Sequence, residues 1–376
     1  MSDLREYLHE VQRRRAAYDE ESVSDLAGLF RERDRRPPTM FHDSSFLYLR
    51  SYSADEGVRP LPGVTFWLSP DLLVRPVTST GAYTTTLVAG QTYVLTALLR
   101  NRGDLAVPSA KVEFFLTDPT LGFDVRYATR LTRLETVPAA WVPSGGSASV
   151  DFRWTVPASE SGHKCLFARA FSFSPLELPL DDHALDPRLD RHIAQHNLHI
   201  VGQAQPFGFT VVHRPTARLR LLLQALEPEQ LLALQHPVLA DVTPAREFRR
   251  EGLLRQAGID VVESPGDVGL EPEEDSLMLS THDPEGPDPA DVRELEGALR
   301  EVLHAVAAGR TTMAANRDLV QRYREMNTHT GQSRLTMTTP DLGLGRGEAV
   351  ALTLTATDDN MPEPEVAGGV TIVLTG

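Results

Sequence analysis

Between about residues 60 and 212, apolar residues recur at every second position, and this period of two constrains the fold more than any other feature. The runs at 93–99 and 150–156 are two examples. Successive side chains of a β-strand point to opposite faces, so each run predicts a strand with one buried face. Glycine and asparagine separate the runs, as at 101–104 and 143–147. Short strands divided by such turns predict a β-sandwich.

The same period returns further along the chain, on both sides of a stretch with helical spacing. A chain of 376 residues is longer than the ~250–300 residues that one hydrophobic core fills. We therefore predict a mainly β protein with two Ig-like antiparallel β-sandwiches. The first is expected over 60–203 and the second over 204–225 plus 331–376. Residues 226–330 are expected to form an acidic helical insertion in the second sandwich, with an excess of about eleven negative charges.

The amino-terminal region has a different pattern. Over residues 1–36 apolar side chains such as Leu4, Leu8 and Val11 recur at helical spacing, which predicts an amphipathic helical arm. Residues 37–59, which begin with a proline pair, are expected to be a linker. The apolar stripe of the arm must be covered, either by this chain or by a partner protein, and the sequence leaves both alternatives open.

Charge and cysteine content limit the partners and the location. The net charge of −15, with only two lysines, excludes a phosphate-binding surface of the usual kind, so we expect no nucleic-acid partner. No run of about 18 apolar residues is present, so we expect no membrane insertion. Cys165 is the single cysteine, and the first ten residues are charged rather than apolar. These features favour a reducing compartment and predict a cytoplasmic location.

A cluster of aspartate and histidine residues over 181–199 is the one group with metal-binding potential. If residues 190–196 were helical, His192 and His196 would share one face, and His199 would be a third candidate ligand. The alternative is a turn-rich loop followed by a strand, with the histidines serving no metal. We therefore name these three residues as metal candidates and predict no other cofactor.

Several segments resemble a known family. They are 67–71, 88–93, 99–103, 112–115, 163–168 and 190–200, with 345–356 and 368–373 near the end. Together they resemble bacterial Ig-like sandwich modules related to the CARDB-like domains. The resemblance implies a β-sandwich fold and a role in binding, spacing or presentation, and it implies no catalytic residues.

The sequence contains no motif for a catalytic nucleophile or for a phosphate-binding loop. We therefore expect no enzyme and no catalytic residue. The preferred hypothesis is a structural or adaptor protein of a bacterial multi-protein assembly or homo-oligomer, which binds protein partners through the arm and the insertion. The first alternative is a carbohydrate-binding module, which needs a row of exposed aromatic rings. The second is a metal-dependent enzyme centred on His192 and His196.

Overall fold

The structure is a computed structural model. It describes residues 44–61, 63–78, 84, 86–132, 137–174, 177–233, 242–248, 250–264, 266–282, 286–308, 310–359 and 365–376. The predicted arm (1–36) and the first part of the predicted linker (37–59) lie outside the described residues. In the part described, strands predominate over helices, which confirms a mainly β protein.

The first half of the chain forms two facing sheets and a separate two-stranded sheet, in which Thr86–Leu87 pairs with Gly162–His163. Its strands are β1 (Leu47–Tyr48), β2 (Leu72–Pro76), β3 (Thr86–Leu87), β4 (Thr92–Asn101), β5 (Val107–Thr117), β6 (Thr120–Leu121), β7 (Thr129–Arg130), β8 (Ala139–Val142), β9 (Ser147–Thr155), β10 (Gly162–His163), β11 (Cys165–Phe171) and β12 (Ile193–His196). In one sheet β4 pairs with β1, β2 and β9. The facing sheet contains β5, β7, β8, β11 and β12.

Side chains from both sheets share one hydrophobic core. Alternate residues of β4, from Tyr93 to Leu99, are buried in it, which confirms the period of two. On β9 the core-facing Val150 is buried, whereas Trp154 is half-buried because β9 lies at the edge of its sheet. Strand β11 is buried on both faces, because Leu185 and its neighbours cover the outer side of Phe167.

The second half also forms two sheets around one core. Its strands are β13 (Leu198–Gly202), β14 (Pro206–His213), β15 (Ala217–Ala225), β16 (Thr243–Pro244), β17 (Asp260–Glu263), β18 (Val268–Pro272), β19 (Leu277–Thr281), β20 (Gly331–Thr338), β21 (Glu348–Asp358) and β22 (Glu365–Thr375). The larger sheet has the order β13-β22-β21-β15-β19-β18, with β16 beside β21. The smaller has the order β17-β20-β14-β6. Residues of both sheets meet in a single core.

Two strands lie across the predicted boundaries. Strand β1 falls inside the predicted linker 37–59, yet it pairs with β4 of the first core unit. Strand β13 falls inside the predicted first sandwich 60–203, yet it pairs in parallel with β22. Both are short strands without a long alternating pattern, so only the pairing partner decides which unit they join.

The stretch 226–330 combines helices and strands and is not the purely helical insertion that the sequence predicted. Its helices are α1 (Pro228–Ala233), α2 (Leu253–Ala257), α3 (Pro289–Ala307) and α4 (Arg317–Met326). Strand β19 pairs with β15, and β17 pairs with β20, because the outer edges of these sheet strands need hydrogen-bond partners. In the described part of the chain, no helix is long and apolar enough to cross a membrane.

Candidate functional site

The three candidate metal ligands lie on strands or in the turn before them, and not on a helix. Residues Ile193–His196 form β12 and Leu198–Gly202 form β13, so the helical spacing proposed for His192 and His196 is wrong. His192, His196 and His199 are all buried.

His192 is held between two buried carboxylates. Its Nδ1 lies 2.8 Å from Oδ1 of Asp190, and its Nε2 lies 3.1 Å from Oε2 of Glu177. The same Glu177 oxygen accepts a hydrogen bond from the backbone N–H of Leu47, at 3.0 Å. Burial alone would raise the pKa of Glu177, but Arg191 and His192 outweigh it and lower that pKa to about 2. The hydrogen-bonded group of Glu177, His192 and Asp190 therefore connects β1 with the loop before β12.

The stability of the fold should depend on pH through this group. Burial also opposes the ionisation of Asp190, yet the attraction of His192 lowers its pKa from 3.8 to about 2. Burial disfavours the charged imidazole, but the attraction of Asp190 raises the pKa of His192 above 6.5. The carboxylates thus stabilise the fold above pH 4.5 and lose this effect as the pH falls towards 2. His192 stabilises it fully below pH 6.5 and loses its effect as the pH rises through the raised pKa.

We therefore expect the free energy of unfolding to be largest between pH 4.5 and 6.5 as far as this group contributes. Urea titrations of the wild type and of a His192→Gln variant, at a series of pH values, measure the contribution. The difference between the two proteins should shrink as the pH rises above 6.5. A difference that stays constant across that range would contradict a charged His192.

His199 belongs to an aromatic and amide cluster. Its Nε2 lies 2.9 Å from Oδ1 of Asn197, and its ring packs edge-on against His163 at a centroid distance of 5.5 Å. The ring of Phe207 touches both histidines. Burial lowers the pKa of His163, which favours its neutral form. Among the residues that the structure describes, no group of three or more His, Cys, Asp or Glu side chains is arranged to hold a metal ion.

Asn197 lies at the point where the chain passes from the first pair of sheets to the second. Its side-chain amide donates hydrogen bonds of 2.8 Å to the backbone oxygens of Thr120 and Gly369. Nearby, Nε1 of Trp67 donates to Oγ1 of Thr371 at 3.0 Å. The indole lies so close to Gly369 that an added Cβ there would be 2.4 Å from it, so only glycine fits. Asn197 is the one residue between β12 and β13, and its two side-chain hydrogen bonds hold it to Thr120 and to Gly369.

The segment that follows α4, at the end of the 226–330 stretch, is also bonded to the first unit. The guanidinium of Arg126 donates to the backbone oxygen of Asn327 at 3.2 Å, and the Tyr127 hydroxyl donates to that of Thr330 at 2.6 Å. The Asn327 amide in turn donates to Oδ2 of Asp181 at 2.9 Å. The first unit therefore donates side-chain hydrogen bonds to the segment after α4, and that segment donates one back to the first unit.

A cavity of about 110 Å³, here called the junction cleft, lies between the loop before β12, strands β14, β15 and β22, and helices α3 and α4. Arg188 pairs with Asp186 through two bonds of 2.7 and 3.0 Å. Arg214 pairs with Glu296 of α3. The cleft is also lined by His213, Arg293, Tyr323 and Asn327. Guanidinium and carboxylate groups alternate there, so the cleft suits water or a small polar molecule.

Burial changes the pKa values of two groups that line the cleft, Tyr323 and His213. Burial, with the nearby carboxylates of Asp186 and Asp181, raises the pKa of Tyr323 well above its usual range. Burial also lowers the pKa of His213. Away from the cleft, burial raises the pKa of the Cys165 thiol to about 12, so it behaves as a core side chain, as the sequence indicated.

The strand order defines the class of the first unit. Its seven principal strands in chain order are β2, β4, β5, β8, β9, β11 and β12. The first, second and fifth of these (β2, β4 and β9) form one sheet, and the third, sixth and seventh (β5, β11 and β12) form the other. This division is the one found in Ig-type sandwiches, here with the fourth strand, β8, placed beside the third, β5.

The known proteins that match this chain are found among solved structures. No protein-family model and no curated protein matches the sequence. Matching solved structures include a CARDB domain from Pyrococcus furiosus in complex with di-metal ions, at 16% identity, covering 34% of this chain and 84% of that one, with a TM-score of 0.21.

A tip adhesin from Pseudomonas aeruginosa matches at 10% identity over 81% of this chain and 96% of its own, with a TM-score of 0.15. The collagen adhesin of S. aureus matches at 6% identity over 81% and 93%, with a TM-score of 0.19. The resemblance seen in the sequence motifs is thus matched by a CARDB domain and by adhesin domains among the neighbours. At such TM-scores the neighbours add no argument on fold or function.

Sequence reasoning missed most residues of the junction. Trp67, Asn197, Arg214 and Tyr323 come from four distant segments, and none of them belongs to a local motif. The one available signal was the polar cluster over 181–199, which contains Asp186 and Arg188 of the junction cleft.

Proposed function

We propose that this chain is a non-enzymatic structural or adaptor protein of a bacterial multi-protein assembly in the cytoplasm. In this proposal each half is an Ig-type sandwich, and the two sandwiches act as a single rigid scaffold. The partners are proteins, and they bind through the amino-terminal arm and through the 226–330 stretch.

The observation that carries the proposal is the fixed junction. A linker of one residue, Asn197, is bonded to both halves, and β6 of the first half pairs with β14 of the second. Arg188 adds a bond of 3.1 Å to the backbone oxygen of Val366. In this proposal the cross-bonds keep the two sandwiches at one angle, which is what a spacer or an adaptor requires and a hinged enzyme does not.

The 226–330 stretch offers a surface for a basic partner. Between residues 260 and 275 the chain has no Lys or Arg. It has seven exposed carboxylates, on Asp260, Glu263, Asp267, Glu271, Glu273, Glu274 and Asp275. Beside them lies a hollow of about 580 Å³, whose floor includes the half-buried Leu222, Leu254, Ile259 and Leu277. Arg250 and Arg255 also line the hollow, so the acidic part of its rim is the side formed by Glu273, Glu274 and Asp275. An apolar floor beside this acidic side fits an amphipathic basic segment.

Deleting residues 1–36 should abolish partner binding and leave the melting temperature unchanged. The reason is that the stripe containing Leu4, Leu8 and Val11 is assigned to a partner surface and not to this chain's own core. Tagged full-length and 37–376 proteins, compared by pull-down from the native host and by thermal melts, measure both effects.

A full-length Leu8→Asp variant is the matched control, because it keeps the chain length and disrupts only the stripe. It should lose the same partners as the deletion. If instead the deletion lowers the melting temperature and keeps the partners, the arm packs on its own chain, and the adaptor function loses its main docking element.

The alternatives have less support. A carbohydrate module needs a row of exposed rings, whereas among the three tryptophans Trp67 is buried, Trp154 is half-buried and only Trp141 is exposed. A metal-dependent enzyme needs His192 and His196 on one ion, whereas both ring nitrogens of His192 lie within hydrogen-bond distance of carboxylates, those of Asp190 and Glu177.

A further inference from the structure

Strand β9 is a long edge strand with one neighbour. It runs over nine residues and pairs with β4 along its whole length. Within the described ranges, no strand pairs with its other side. An unpaired edge of this length is a template for another strand, and proteins either blunt such edges or use them.

The pairing with β4 fixes which backbone groups face the open side. Val156 donates to the backbone oxygen of Gln91, and Asn101 donates to that of Gly146, both at 2.9 Å. Even-numbered residues from 146 to 156 therefore direct their N–H and C=O groups towards β4. In an antiparallel ladder the groups of the alternate residues point the other way. The open edge thus presents the backbone of Ser147, Ser149, Asp151, Arg153 and Thr155.

These same five residues are exposed, and two of them carry opposite charges two positions apart. If a second β9 approached in antiparallel orientation, its odd-numbered residues would have to face odd-numbered residues here. A register with the two-fold axis at Phe152 places Asp151 opposite Arg153 of the second copy, twice. The neighbouring registers place Asp151 opposite itself, or Arg153 opposite itself, and like charges across a strand pair are destabilising.

On the other face the same register also pairs apolar side chains. Phe152 meets Phe152 of the second copy, and Val150 meets Trp154 of the second copy. Phe152 and Trp154 are half-buried in the monomer, so the pairing would cover apolar surface that the edge leaves open. Strand β8, the edge strand of the facing sheet, touches β9 and carries Trp141, which is 59% exposed.

We propose that β9 is the edge at which two copies of this chain associate, forming a continuous antiparallel sheet across a two-fold axis at Phe152. A two-fold interface must be complementary to itself, and the order Asp-Phe-Arg has that property. The proposed dimer uses neither the amino-terminal arm nor the acidic surface. The dimer and the proposed adaptor function can therefore be refuted separately.

Charge reversal tests the register in the full-length chain. Wild-type protein should sediment as a dimer, at twice the monomer mass of 41.5 kDa, at the upper end of a dilution series. Asp151→Arg creates two Arg–Arg contacts across the axis, and Arg153→Asp creates two Asp–Asp contacts. Each single variant should therefore be a monomer at the same concentration.

Mixing the two single variants should restore a dimer, because each contact then joins one Arg to one Asp. The double variant Asp151→Arg with Arg153→Asp should also dimerise. The control is Arg346→Glu, a charge change at an exposed position before β21 and away from β9, which should leave the wild-type dimer intact. Unchanged melting temperatures show that the single variants are folded.

Two results would overturn the proposal. The first is wild-type protein that stays monomeric throughout the dilution series, in which case the charges of β9 serve only to blunt the edge. The second is a wild-type dimer that both single variants keep, because the association would then use another surface.

Discussion

Replacing Trp67 with alanine should destabilise the protein by roughly 3–5 kcal/mol, which is the usual loss for removing a large buried aromatic side chain. Trp67 is 3% exposed, and its ring meets that of Phe66 edge-on at 5.1 Å. Its indole N–H also bonds to Thr371, so truncation removes a contact between the two halves of the chain. Equilibrium denaturation in urea at constant pH measures the loss.

Trp154→Ala, compared at a protein concentration low enough to keep the chain monomeric, is the matched control, because it removes the same side chain from the half-buried edge position on β9. It should cost about half as much as Trp67→Ala, in proportion to the apolar area removed from water. Equal losses for the two variants would contradict the assignment of Trp67 to the centre of the junction.

Replacing Glu113 with leucine should cost about 3–5 kcal/mol, because it leaves the guanidinium of Arg169 buried without its carboxylate. Glu113 lies on β5 and is fully buried, and Arg169 lies opposite it on β11 and is 1% exposed. Their closest atoms are 2.8 Å apart. Arg130 also pairs with Glu113 but reaches solvent, so it tolerates the loss.

The double variant Glu113→Leu with Arg169→Met tests the cause of that effect. It should recover most of the lost free energy, since it removes the uncompensated charge together with its partner. If the double variant is as unstable as Glu113→Leu alone, the loss arises from packing and not from the buried charge. Urea midpoints of the three proteins decide between these explanations.

The strands were predictable from the sequence because their signal is local. In β4 and β9 the alternate apolar residues face one core, so the pattern of the chain and the pattern of burial agree. Strands β14, β15, β21 and β22 were equally visible, since each is long enough to alternate several times. The predicted class, a mainly β chain, followed directly from them.

The histidine cluster shows where local reasoning fails. A spacing of four residues suits one face of a helix, but β12 begins at Ile193, and pairing with β11 decides this. His192 is buried between Asp190 and Glu177, and Glu177 is fifteen positions away in sequence. The path of the loop decides which charged side chain a buried histidine contacts. Hydrophobic periodicity in the sequence does not predict that path.

The sequence by itself determined the class of fold, the strand runs and the inertness of Cys165, because hydrophobic periodicity and composition act within a few residues of one another. The tertiary structure alone decided the boundaries at β1 and β13, the strands within 226–330 and the junction around Asn197. Each of these depends on backbone groups that find hydrogen-bond partners far away in sequence. Such partners are selected by the whole packed arrangement, so no local pattern specifies them.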